Sequence, residues 1–186
     1  MATKPLPSPE VLRQLLRYEP ETGKLFWRER TPDMFVGSEM WPADAQCRRW
    51  NTRFANQEAM ATLNGGYKHG AIARRNYQAH RVIWALVYGE WPATDIDHIN
   101  GDKSDNRLVN LRKATRSENM RNRGKTASNT SGFKGVTWAA SLGCWKAQIK
   151  ANYRSHHLGY FADPKDAHQA YLTAAARLHG EFAVQG

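Results

Sequence analysis

Apolar residues along this chain change their period several times, and the changes mark out its elements. Val11, Leu12, Leu15 and Leu16 share one face at helical spacing. Ser8-Pro9-Glu10 ahead of them offers a capping hydroxyl, a proline fit for the first helical position and an acid in the first turn, so a helix is predicted to begin there. PETG, Pro20 to Gly23, breaks the pattern, and KLFWRER predicts a short strand. From Thr31 to Leu63 no period holds, with Trp41, Trp50 and Phe54 scattered, and this stretch reads as irregular. GGYKHGAIARRNYQAHR predicts a hairpin turning at Arg75-Asn76. A helix from about Ala79 to Tyr88 follows, burying Val82, Ile83, Leu86 and Val87 and stopping at Gly89.

The pattern then turns almost wholly polar: DIDHINGDKSDNRLVNLRKATRSEN, Asp95 to Asn119. A short β-like segment ends at Asp97-His98, an Asn-Gly turn comes next, and the chain is helix-permissive from Thr115. GKTASNTSG after Arg123 has linker composition. It sets the expected domains at 1–124 and 132–186, with 125–131 joining them. Beyond it FKGVTW, CWKAQIKA and HHLGYF predict three strands. The middle one places Trp145, Ala147 and Ile149 on one face and Lys146, Gln148 and Lys150 on the other. A helix capped by Asp163, opened by Pro164 and ended by Gly180 carries the stripe Ala167, Ala170, Tyr171, Ala174, Ala175 and Leu178. Its small residues suit close packing on the sheet, leaving the other sheet face open and basic. The expected class is α+β.

Composition narrows the partner. The 186 residues are 41% apolar, enough for a globular core, and carry a net charge of +10. That surplus favours an acidic polymer, and the interleaving of aromatic with basic residues is common in nucleic-acid binders. Cys47 and Cys144 form no zinc or disulfide pattern and read as packing residues. No apolar run suits a membrane span and MATKPLPSPE lacks a secretory core, so the expected location is cytoplasmic.

Asp97 and Asn119 offer hard oxygen donors of the kind that suit Mg²⁺, and His98 is a candidate to take a proton from a water attacking phosphorus. The same residues also fit ordinary turns beside a salt-linked surface pair, and both readings stand on residue chemistry alone.

The run Asp97-His98, then DNRLVNLR with Asn110, then Asn119 in RSEN resembles the HNH endonucleases, in particular their homing branch. HRVIWALVYGEWP and YEPETGKLFW are similar to that family's upstream segments. The resemblance implies a ββα-metal (His-Me finger) nuclease fold over 95–123 with one Mg²⁺ or Mn²⁺ per site. It makes His98 the general base, Asp97 and Asn119 the metal ligands, and Asn110 a brace that holds His98 in place. The basic run Arg112, Lys113, Arg116, Arg121 and Arg123 would then contact the DNA backbone. His80 is weighed as a packing or capping residue ahead of a phosphate contact, and the pair His156 and His157 is rejected as a metal site because no third ligand accompanies it.

FKGVTW, WKAQI, LGYF and AHQAYLTAAARLHGEFA resemble a second family, the plant ethylene-response-factor (APETALA-type) DNA-binding domain. That resemblance implies a three-stranded sheet lying in the major groove with one helix behind it. It places Lys134, Thr137, Trp138, Lys146, Gln148, Lys150 and Arg154 near DNA, while Thr137 and Gln148 stand where the plant domains carry arginines. The sequence thus predicts a metal-dependent endonuclease acting on double-stranded DNA, monomeric or dimeric, of phage-like type. A non-catalytic DNA-binding regulator on the same scaffold and an RNA-binding accessory protein are the alternatives.

Overall fold

The computed structural model describes residues 5–122, 124–125, 129–151 and 154–183. Arg123 and the middle of the expected linker, 126–128, lie outside the described residues. Helices and sheets are mixed, as expected, and the chain divides into two compact units. One comprises Met1–His98 with Asp102–Lys113, the other Ile99–Gly101 with Ala114–Gly186.

The first unit opens with α1, Pro9–Leu15, whose Ser8 hydroxyl accepts from the Val11 amide. Leu12 and Leu16 are fully buried, but Leu16 has left the helix to start β1, Leu16–Glu19, which pairs with β2, Lys24–Trp27. The stretch read as irregular contains α2, Ala43–Phe54. Its N-cap is Pro42, with no side-chain cap bond, and its C-cap is Ala55, so neither end carries a sequence signal. β3, Glu58–Ala59, completes the sheet β1-β2-β3.

A second sheet runs β4, Thr62–Asn64, then β5, Tyr67–Ile72, then β6, Arg75–Gln78. Its hairpin turns at Ala73-Arg74, not Arg75-Asn76, with both residues at positive φ (49° and 64°). That is the two-residue geometry matching strand twist, reached here without Gly or Asn. α3, Ala79–Tyr88, follows and ends on Gly89 at φ 74°. Val82, Ile83, Trp84, Ala85 and Leu86 are buried, while Val87 stays 42% exposed. Together with Leu12, Leu16 and Leu25 they form one core, each large side chain contributing about 1.5–3 kcal/mol. β7, Asp95–His98, pairs with β8, Leu111–Ala114, to make a two-stranded sheet, and a 3₁₀ turn, Leu108–Asn110, leads into β8.

The second unit begins with α4, Arg116–Arg121, closed by a reciprocal capping box between Thr115 and Glu118. Part of the expected linker is organised. Ser131 Oγ lies 2.9 and 2.8 Å from the Phe133 and Val136 carbonyls, and Asn129 Nδ2 donates to Phe133 O. The strands β9, Val136–Ala139, β10, Cys144–Ala151, and β11, Arg154–Phe161, form an antiparallel sheet in the order β11-β10-β9. α5, Pro164–His179, is capped by Asp163 as expected and packs Ala167, Tyr171, Ala174 and Ala175 onto it. Tyr171 lies so close to Gly135 that a Cβ there would come within 2.1 Å of its ring, so only glycine fits that position.

Candidate active site

His98 ends β7 and is 4% exposed. Its Nε2 lies 3.0 Å from Asn106 Oδ1. An amide oxygen only accepts, so in this arrangement Nε2 carries the proton and Nδ1 is the basic nitrogen. Burial lowers the His98 pKa below its ordinary value. The bond to Asn106 and the nearby carboxylates of Asp97, Asp102 and Asp105 oppose that shift. The outcome is a neutral imidazole at physiological pH beside groups that would favour its protonated form.

Asn106 is fixed from several sides. Asn110 Nδ2 donates at 2.8 Å to the carbonyl of Asp105, the residue before Asn106. Tyr18 Oη donates to Asn106 O and accepts from Leu108 N, both at 3.1 Å. The turn between β1 and β2 presses against the same backbone. A Cβ on Gly23, at φ 69°, would meet Arg107 N at 2.5 Å. Asp102 accepts from the Ser104 amide and hydroxyl, and Asp105 binds Arg107 through both its oxygens. The Asn106 contact escaped the sequence reading; the DN pair ahead of NLR in the motif was the available signal.

His80, on α3, settles as a packing residue. It is 3% exposed, and its ring meets that of His98 edge to face at 5.0 Å while Tyr67 packs on both rings. Burial, chiefly, pushes the His80 pKa down to about 3.

Asp97 is 4% exposed and is held by Arg112, whose Nε and Nη2 reach its Oδ2 at 2.9 and 2.8 Å. Arg112, expected on the DNA backbone, is thereby turned inward, because a buried carboxylate needs a charged partner. Lys113 instead stays exposed and pairs with Glu90 at 3.2 Å. Asn119 lies on α4, in the second unit. Among the described residues no three His, Cys, Asp or Glu gather as a metal site. The Asp97 carboxylate is an oxygen donor of the kind a hard divalent ion takes.

In the second unit, Arg116, Arg121, Lys134, Gln148 and Lys150 line one cavity of about 650 Å³. Lys134 Nζ donates to the Arg121 carbonyl, and burial lowers its pKa to about 8. Thr137 pairs across the strands with Lys146, and Arg154 is exposed on β11. Trp138, expected at the DNA face, pairs with Trp145 instead, its ring edge-on at 5.0 Å. Cross-strand partners share a face, so Trp138 belongs with the side bearing Ala147 and Ile149.

The family model for HNH endonuclease matches residues 77–121, from β6 through α3, the β7–β8 pair and α4. Protein 3.8 of Escherichia phage T7 is 32% identical over 105 residues, covering 56% of this chain and 86% of that protein. An uncharacterized HNH endonuclease of Acanthamoeba polyphaga mimivirus is 34% identical over 109 residues, covering 58% of this chain and 56% of its own length. No solved structure matches the chain.

Proposed function

Since this chain belongs to the family that includes Protein 3.8 of Escherichia phage T7 and carries an HNH endonuclease domain, we propose that it is a DNA endonuclease of the homing type with His98 as general base. The observation that carries this reading is the buried His98 imidazole bonded to Asn106 through Nε2. Nδ1 takes the proton from an attacking water, a contribution of about 10²- to 10⁴-fold in rate. The carboxylates of Asp97, Asp102 and Asp105 favour the imidazolium that forms. Asp97 and Asn119 would hold one divalent cation, Mg²⁺ or Mn²⁺, which when bound supplies positive charge for the phosphate.

The segment 132–186 serves as the targeting domain of APETALA type, with residues 1–124 as the nuclease domain. Thr137, Lys146 and Arg154 on its sheet, with the cations around the second unit's cavity, contact duplex DNA. Coupling a weak catalytic part to a binding part raises the effective concentration of the site on its target. One site per chain suits nicking by a monomer in the host cytoplasm.

The test is incubation with supercoiled plasmid under Mg²⁺, Mn²⁺ or EDTA. Open-circular product with either metal and none with EDTA is expected. Unchanged plasmid under both metals would remove the reading.

A further inference from the structure

The first unit holds a concavity within residues 35–54, outside the matched HNH segment. The loop after the 3₁₀ turn Pro32–Met34 leans on α2 and encloses a cavity of about 560 Å³. That volume falls in the roughly 300–1,000 Å³ range of small-ligand sites. Aromatic walls come from Phe35, Trp41, Trp50 and Phe54, and the charges among its described lining residues are Arg49 and Arg53. The helix explains the arrangement. Arg49 with Arg53 and Trp50 with Phe54 are each four residues apart, so guanidiniums and rings run as neighbouring stripes along α2.

The loop is fixed rather than draped. Gln46 Nε2 donates to the carbonyls of Val36 and Trp41, at 2.9 and 2.8 Å. Ser38 and Trp41 exchange backbone hydrogen bonds of 3.0 and 3.2 Å. Gly37 approaches the start of α2 so closely that a Cβ would lie 2.7 Å from Ala43 N. On this braced backbone Trp41 remains 54% exposed. Trp50 is backed by the Arg30 guanidinium, 3.7 Å from its ring centroid, and Phe54 packs against it at 5.4 Å.

Leaving a tryptophan half in water forgoes burial energy that a purely structural role would use. Aromatic walls with two guanidiniums and no carboxylate among the described lining residues select a flat, anionic ligand. We propose that this cavity holds an unpaired nucleotide of a DNA strand, its base stacked on Trp41 and its phosphate on Arg49 and Arg53. Stacking on an aromatic platform with cationic backbone contacts is how single strands are gripped without regard to sequence. The proposal rests on the nuclease reading only in taking DNA as the source of the strand.

The test is fluorescence anisotropy of labelled (dT)10 with the full chain in EDTA, where no cleavage intervenes. The wild type binds, and Trp41→Ala weakens binding about 5- to 150-fold. Arg49→Gln with Arg53→Gln lowers the slope of log K against log salt by about 1.4. These side chains are exposed, so unchanged melting temperatures accompany the losses. No binding of (dT)10 by the wild type, or Trp41→Ala binding within twofold of it, overturns the proposal. Tighter binding of (U)10 than of (dT)10 overturns DNA as the source. Trp41-dependent binding by a protein that never nicks plasmid keeps this site and rejects the nuclease reading; nicking without (dT)10 binding does the reverse.

Discussion

His98 and Asn106 meet inside the first unit, Nε2 of one 3.0 Å from Oδ1 of the other, and both are almost fully buried. The contact fixes which ring nitrogen carries the proton, and a substitution there should alter the base without removing it. Asn106→Asp places a carboxylate against the imidazole and favours its cation, so the His98 pKa rises. Less neutral base is then present at any given mildly acidic pH. The acid limb of the plasmid-nicking rate should move up by about one unit or more. A limb at the wild-type position would contradict the assignment.

Gly23 and Tyr18 reach the site through the backbone from Asn106 to Leu108. Gly23→Ala sets a Cβ against Arg107 N at positive φ and must shift the loop. Tyr18→Phe removes one bond to Asn106 O and one to Leu108 N. Both should lower the nicking rate, Gly23→Ala by about tenfold or more, because small misplacements of a catalytic group are costly. DNA affinity measured in EDTA should not change, and a rate equal to wild type in Gly23→Ala would refute this coupling.

Stability should depend on pH through the paired histidines. Both have pKa values lowered from the ordinary 6.5, His80 to about 3, chiefly by burial. The unfolded chain therefore takes up these protons first. Their contribution is complete above about pH 6.5 and is lost as pH falls from there toward 3. The melting temperature should drop across that window. His80→Phe, which keeps a ring between Tyr67 and His98, should flatten the drop, and an equally steep fall in that variant counts against it.

Asp97 and Arg112 form a buried pair, with side chains 5% and 14% exposed. Removing either partner strands the other's charge, at a cost of about 3–5 kcal/mol. Urea unfolding of Asp97→Asn and Arg112→Met should show losses of this size. The double substitution should cost less than the sum of the two. Strictly additive losses would mean that the pair is not coupled.

Most elements could be anticipated where capping chemistry punctuates the chain. Ser8, Thr115 and Asp163 start their helices with side-chain bonds, and Gly89 ends α3 in the left-handed region. α2 escaped because Pro42 and Ala55 give no such signal and Cys47 alone on it is buried. The hairpin turn was misplaced because Ala73 and Arg74 adopt positive φ, which side chains with a Cβ rarely do. Asp97, His98 and Asn110 were legible as a motif. What the spacing could not reveal was a tertiary relationship: His80 packing on His98, Arg112 folding back on Asp97, and Asn106 meeting the His98 ring nitrogen.

The measurement that bears most directly on the account is the single-turnover nicking rate of supercoiled plasmid with Mg²⁺, wild type against His98→Ala. The account predicts a rate about 10²- to 10⁴-fold lower in the variant at a temperature where it is still folded, with plasmid affinity little changed. A folded His98→Ala protein that nicks at the wild-type rate would contradict it.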